Sequence, residues 1–167
     1  MTQSSVREII KALNDAGVRY LVVGGLAVNA HGYVRFTADV DLILALEESN
    51  LTKALAVLKA LDYRPRAPVP IEEFAISAKR KEWQEAKGLK AFALFSALHP
   101  RTEIDLFIDD PLGFDEAAAR AVWFSLGENL KMPVCSLLDL VKLKKAADRG
   151  KDRVDLEYLK KLYPDQI

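Results

Sequence analysis

Tyr20-Leu21-Val22-Val23 is the feature that most limits the fold. Four apolar residues in succession, with no polar alternation, suit a short strand buried on both faces. Such a strand needs helices on each side of its sheet. Gly24-Gly25 breaks the run, and Leu26 to His31 then reads as a short helix closed by Gly32. Before it, Val6, Ile9, Ile10 and Leu13 form one stripe of an amphipathic helix over Ser5–Ala16, with Ser4 or Ser5 as its cap.

Beyond this unit the chain continues to alternate. Asp39 to Leu46 reads as a second strand, and Ser49 or Asn50 caps a helix running to Leu61. Arg64 to Pro70 is too proline-rich for regular structure. Ile71 to Lys87 reads as mostly helical, ending at Gly88. Lys90–Leu98 and Thr102–Ile108 are strands expected to pair antiparallel across the His99-Pro100 turn. Asp115–Val122 reads as a helix, Pro133 as a break, and Ser136–Ala147 and Asp152–Leu162 as closing helices. Two strands in succession without a crossover helix argue against a doubly wound sheet. The expected fold is α/β (α+β), a mixed β-sheet covered by helices. With 167 residues the chain is expected to form one domain over 1–167, with 130–167 as a helical C-terminal part.

Composition excludes several classes. The 24 basic and 24 acidic residues cancel, which argues against a general polyanion-coating protein. One cysteine excludes a disulfide framework, and two histidines argue against a His-rich metal site. No apolar run approaches the ~20 residues of a membrane span. The first residues lack a secretory pattern, so a cytoplasmic location without membrane contact is expected. Charge is nevertheless segregated. Residues 101–130 hold two basic and seven acidic side chains, whereas 131–167 hold nine basic and six acidic. That arrangement suits cations and a polyanionic ligand held together, or two solvated faces of different sign.

The chemistry concentrates in Gly24 to Leu42. Asp39 and Asp41 are two apart at the start of an apolar strand and so share one face. Aspartate is a poor strand former and neighbouring anions repel, so the pair implies a cation, most directly an oxygen-seeking divalent metal. Asp105 sits in another apolar strand, Thr102-Glu103-Ile104-Asp105-Leu106-Phe107-Ile108. If the strands are neighbours, three carboxylates can hold two Mg²⁺ ions ~3.5–4 Å apart, the geometry of nucleotidyl transfer. Gly24-Gly25 opens a helix, where backbone N–H groups can meet a phosphate. It is neither a Walker A loop nor a dinucleotide fingerprint.

Together, Gly24-Gly25, Asp39, Asp41 and Asp105 resemble the nucleotidyltransferase superfamily, which shares the DNA polymerase β-like fold. The stretch Gly32-Tyr33-Val34-Arg35-Phe36-Thr37-Ala38-Asp39-Val40-Asp41-Leu42 is similar to a signature of small prokaryotic members grouped with abortive-infection and toxin–antitoxin enzymes. Trp83, Lys87-Gly88, Leu140 to Lys144, Arg149, Lys151-Asp152 and Asp155-Leu156 extend that likeness over nearly the whole chain. The resemblance implies a metal-dependent enzyme that moves a nucleoside monophosphate from an NTP, ATP among them, to an acceptor hydroxyl. The acceptor would be tRNA or other RNA, a protein, or a small molecule, and pyrophosphate would be released. It implies that Asp39, Asp41 and Asp105 carry Mg²⁺ or Mn²⁺, and that Gly24 and Gly25 hold the triphosphate. Residues matching Arg35, Thr37 and Lys144 would assist the nucleotide or the site's geometry. A cognate antitoxin or other partner protein is implied by the narrower group. The chain departs from many members in having Gly25 where they have serine.

Several residues have simpler readings. Arg35 binds phosphate or tethers its loop to Asp39, and Lys144 binds triphosphate or lies on a solvated helix face. Asp109 and Asp110 read as turn residues, and Asp152 and Asp155 as capping and pairing within the last helix. His31 and Cys135 are expected to be structural, and Trp83 and Trp123 to be core or lid aromatics. The alternative functions are a catalytically inactive nucleotide sensor or regulatory partner, and a phosphohydrolase using the same metals.

Overall fold

A computed structural model describes residues 1–167. Its centre is one seven-stranded mixed sheet in the order β3-β4-β5-β2-β1-β7-β6. The strands are β1 (Tyr20–Val23), β2 (Asp39–Leu44), β3 (Tyr63–Pro65), β4 (Ala91–Ser96), β5 (Glu103–Phe107), β6 (Val122–Ser125) and β7 (Lys131–Val134). The helices are α1 (Gln3–Asp15), α2 (Gly24–Ala30), α3 (Glu48–Ala60), α4 (Ser77–Lys87), α5 (Phe114–Ala119), α6 (Leu137–Ala147) and α7 (Gly150–Leu162). A 3-10 turn over Ile71–Ala75 precedes α4.

The wholly apolar β1 is buried along its length. It lies inside the sheet, antiparallel to β2 and parallel to β7. α2 packs on β1 and β2 and touches α6, which packs on α7. α1, α3, the 3-10 turn and α4 form a second chain of helix contacts. The α1 stripe of Val6, Ile9, Ile10 and Leu13 is buried as its spacing requires. Thr2 caps that helix through a 3.1 Å bond from the Ser5 N–H, where Ser4 or Ser5 was the expected cap. α3 has no side-chain cap. Asn50 is instead buried and joins the ends of two elements, accepting from the Arg19 N–H and donating to the Arg19 and Ala45 carbonyls.

β4 and β5 are antiparallel neighbours, as their spacing predicts. Three strands differ from expectation. β3 forms within the proline-rich segment because it is an edge strand, where a missing N–H costs no interior bond. The predicted helix through Val122 stops at Ala119, and Val122–Ser125 becomes the opposite edge strand. Residues 131–134 form β7, so the C-terminal part is not wholly helical. Pro133 is accommodated because pairing with β1 starts beyond it, at Val134 and the Cys135 N–H. No helix is long and apolar enough to cross a membrane.

Candidate active site

β2 and β5 run parallel, with Asp41 opposite Asp105 and Asp39 opposite Glu103. Val40, Leu42, Ile104 and Leu106 on the intervening positions are buried, so the acidic residues share the other face. Adjacent strands lie ~4.8 Å apart, which makes Asp41 and Asp105 direct neighbours. Sequence positions 64 residues apart thus meet on one sheet face.

The glycine turn closes over one end of this row. Gly24 adopts φ +63° and begins α2 directly after β1. A Cβ placed there would lie 1.9 Å from Asp41 Oδ2, so the carboxylate occupies the space a side chain would need. The Gly25 N–H donates to the same oxygen at 3.4 Å. A Cβ on Gly25 would lie 2.4 Å from Thr37 Oγ1 and 3.4 Å from an Arg35 guanidinium nitrogen. This chain has no room for a serine at position 25 because the Thr37 side chain already fills that space.

The electrostatics single out the same residues. None of the ion pairs in the molecule involves Asp39, Asp41 or Asp105. Burial and the neighbouring Asp105 carboxylate push the Asp41 carboxyl up to about 6. Burial, then Asp39 and Glu103, also raise Asp105. Uncompensated carboxylates in a half-buried row are the donor type that hard divalent cations take. They fit Mg²⁺ or Mn²⁺ chemically, although no three acidic, His or Cys side chains are drawn together into a ready-made cage.

Arg35 and Lys144 take other positions than expected. Arg35 is neither free for phosphate nor tied to Asp39. It grips Asp155 through Nε at 2.6 Å and Nη2 at 2.7 Å. Lys144 is not on a solvated face; it is 4% exposed, 2.7 Å from Asp152 and 2.8 Å from Asp155, both fully buried. Burial alone would raise these aspartates, but Arg35, Lys144 and Arg149 hold them below the usual carboxylate range. The network ties the loop bearing Thr37 to α6 and α7. Asp155 therefore pairs across elements, whereas Asp152 also accepts from the Arg149 N–H as a cap. Arg149 and Lys151, at the start of α7, act electrostatically on Asp105.

His31 Nε2 meets the Cys135 carbonyl at 2.9 Å, and burial pushes the Cys135 thiol up to about 12, so both are structural. Asp110 accepts from the Leu112 and Phe114 N–H groups in a turn. Trp83 stacks on Phe92 in the core, while Trp123 is 59% exposed on the β6 edge. Sequence reasoning passed over Glu103, although its place two residues before Asp105 already puts it on the acidic face. It also passed over Arg66, whose partner Glu103 lies 37 residues away.

Two solved structures share this architecture. The crystal structure of ANT(2")-Ia in complex with adenylyl-2"-tobramycin superposes with a TM-score of 0.56 at 13% identity, covering 94% of this chain and 86% of that one. The solution structure of the antibiotic-resistance factor ANT(2'')-Ia gives a TM-score of 0.60 at 13% identity, covering 95% of this chain and 82% of that one. The chain has a nucleotidyltransferase-like fold. The sequence matches no family profile and no curated protein.

Proposed function

We propose that this protein is a nucleotidyltransferase that moves a nucleoside monophosphate from an NTP to an acceptor hydroxyl, with release of pyrophosphate. The observation that carries the reading is the unpaired Asp41–Asp105 row against the glycine turn. Divalent ions held there by Asp39, Asp41 and Asp105, Mg²⁺ or Mn²⁺, would neutralise the triphosphate and acidify the attacking hydroxyl. The Gly24–Gly25 turn opens α2 beside the carboxylate row, so its backbone N–H groups would face the phosphates once the long Gly25 N–H bond to Asp41 gives way to a bound ion and its nucleotide. The Arg35–Asp155–Lys144 network fixes the loop that seats Thr37 on Gly25. Lys144, neutralised by two carboxylates, contributes through that network rather than as a free phosphate ligand. Of the three carboxylates, Asp105 is the one nearest the open sheet toward β4, and we assign it to the acceptor side.

The acceptor is RNA such as a tRNA 3′ end, a protein, or a small molecule; the adenylylated tobramycin in the ANT(2")-Ia complex places a small-molecule acceptor among the arms of the test. The narrower sequence likeness adds a partner protein of antitoxin type. The test pairs each α-³²P-NTP, ATP included, with total RNA, total protein and aminoglycosides, with Mg²⁺ or Mn²⁺. Label retained on an acceptor, with pyrophosphate released, supports the reading. Inorganic phosphate release with no labelled acceptor makes the protein a phosphohydrolase. Binding of NTP without turnover makes it a nucleotide sensor.

A further inference from the structure

The acidic face carries a fourth carboxylate that nucleotidyl transfer does not need. Register sets Glu103 beside Asp39 just as it sets Asp105 beside Asp41. The four side chains share one patch, yet only Glu103 has a cationic partner. Arg66 Nε donates to Glu103 Oε2 at 2.8 Å, and Arg66 Nη2 bonds Oε1.

Arg66 comes from the far edge of the sheet. Its N–H donates to the Ala93 carbonyl at 3.0 Å, which extends the pairing of β3 with β4. To reach β5 the side chain must cross β4. Arg66 lies level with Ala93, which faces Asp105, so the side chain passes over a small residue and leans along the sheet to Glu103. Phe95 braces the guanidinium at 5.5 Å from the ring centre, and the Arg66 charge also acts on Asp105 and Asp39. Phe95 is 41% exposed and its ring lies on the same face as Arg66. Arg66 thus pulls Glu103 toward β4, while Asp39 lies on the opposite, β2 side of the same strand.

We propose that Arg66 is a positioning residue that holds Glu103 out of the metal-binding row, so that divalent ions meet three carboxylates instead of four. The proposal rests on the nucleotidyl-transfer reading. Hard cations take a fixed number of oxygens, and every protein carboxylate displaces a water or a substrate oxygen. A released Glu103 would add a negative charge beside Asp39. It would hold the free ion more tightly and fill a position the NTP phosphates require.

The test measures Mn²⁺ affinity without nucleotide, by the EPR signal of the free ion, on wild type, Arg66→Ala, Glu103→Gln and the double variant. NMP transfer and melting temperature are followed in parallel. Arg66→Ala is expected to bind Mn²⁺ about tenfold tighter, the scale on which groups around metal ligands act, and to show a raised KM for NTP. Adding Glu103→Gln is expected to return both to near wild-type values. Glu103→Gln alone, which removes a charge acting on Asp105 and leaves Arg66 unpaired beside it, is expected to bind Mn²⁺ more weakly than wild type. Arg66→Lys keeps the charge and is expected to bind Mn²⁺ more nearly as wild type does. If Arg66→Ala and wild type bind Mn²⁺ alike, the pair is only a surface salt bridge and the proposal is wrong. Absence of NMP transfer by wild type would instead remove the underlying reading, whatever Arg66 does.

Discussion

Asp41 carries the strongest conflict between stability and use in the chain. Its carboxyl titrates at about 6 in the folded protein, against about 3.9 for an unperturbed aspartate. The folded state therefore holds this proton more tightly than the unfolded state. Below pH ~4 the difference costs nothing; as pH rises through 6 the fold loses about 3 kcal/mol relative to an unperturbed group. Asp41→Asn removes the charge and keeps the shape. Metal-free Asp41→Asn is expected to melt well above wild type at pH 7.5 and close to it at pH 4.5, with added Mn²⁺ narrowing the neutral-pH gap. An equal gap at both pH values, read by thermal melting, would contradict the assigned electrostatics. Gly24 is constrained by the same group. Gly24→Ala must fit a Cβ where Asp41 Oδ2 lies, on a backbone at positive φ. We expect a loss of at least about 2 kcal/mol in a denaturant titration, and transfer activity reduced in step with the displaced carboxylate.

Between elements, the decisive contact is Asp155. It is the one group that bonds both Arg35, on the loop between α2 and β2, and Lys144 on α6. Asp155→Ala leaves a buried lysine with half its neutralising charge and the arginine with none. A cost of about 3–5 kcal/mol follows from breaking a buried pair on one side. Denaturant unfolding checks this, and a loss under about 1 kcal/mol would show that the network does not hold α7 to the loop. None of this long-range pairing was visible in the sequence: Arg35 and Asp155 are 120 residues apart, and a loop arginine beside a Gly-rich turn reads equally as a phosphate ligand. Local patterns fared better. The α1 stripe, the wholly apolar β1 and the β4–β5 pair followed directly from periodicity. β3, β6 and β7 did not, because each is only three or four residues long and two contain proline. Their strand character comes from the neighbours they pair with.

At the scale of the molecule, the sheet order brings the chemistry together. Only because β5 inserts beside β2 does Asp105 reach Asp41, and only because β1 flanks β2 on the other side does the glycine turn reach the same carboxylate. The Asp-x-Asp spacing and the third aspartate were legible as separate strand residues, and their family likeness pointed to a shared site. The occupancy of the serine position by Thr37 was not legible, since it depends on the path of the loop over α2. Of the nine basic residues in the tail only Lys144 is buried. With Arg149 it neutralises Asp152 and Asp155, and the rest of the tail's positive charge stays on the surface.

The central claim is that carboxylates from two strands act as one metal-dependent site. Its most direct measurement is the transfer of label from α-³²P-NTP, with Mn²⁺, to whichever acceptor pool the wild type marks, compared with Asp105→Asn of verified fold. The account predicts that Asp105→Asn loses at least about 100-fold, the scale of removing one group that stabilises transition-state charge. Labelling by Asp105→Asn at the wild-type rate would contradict it.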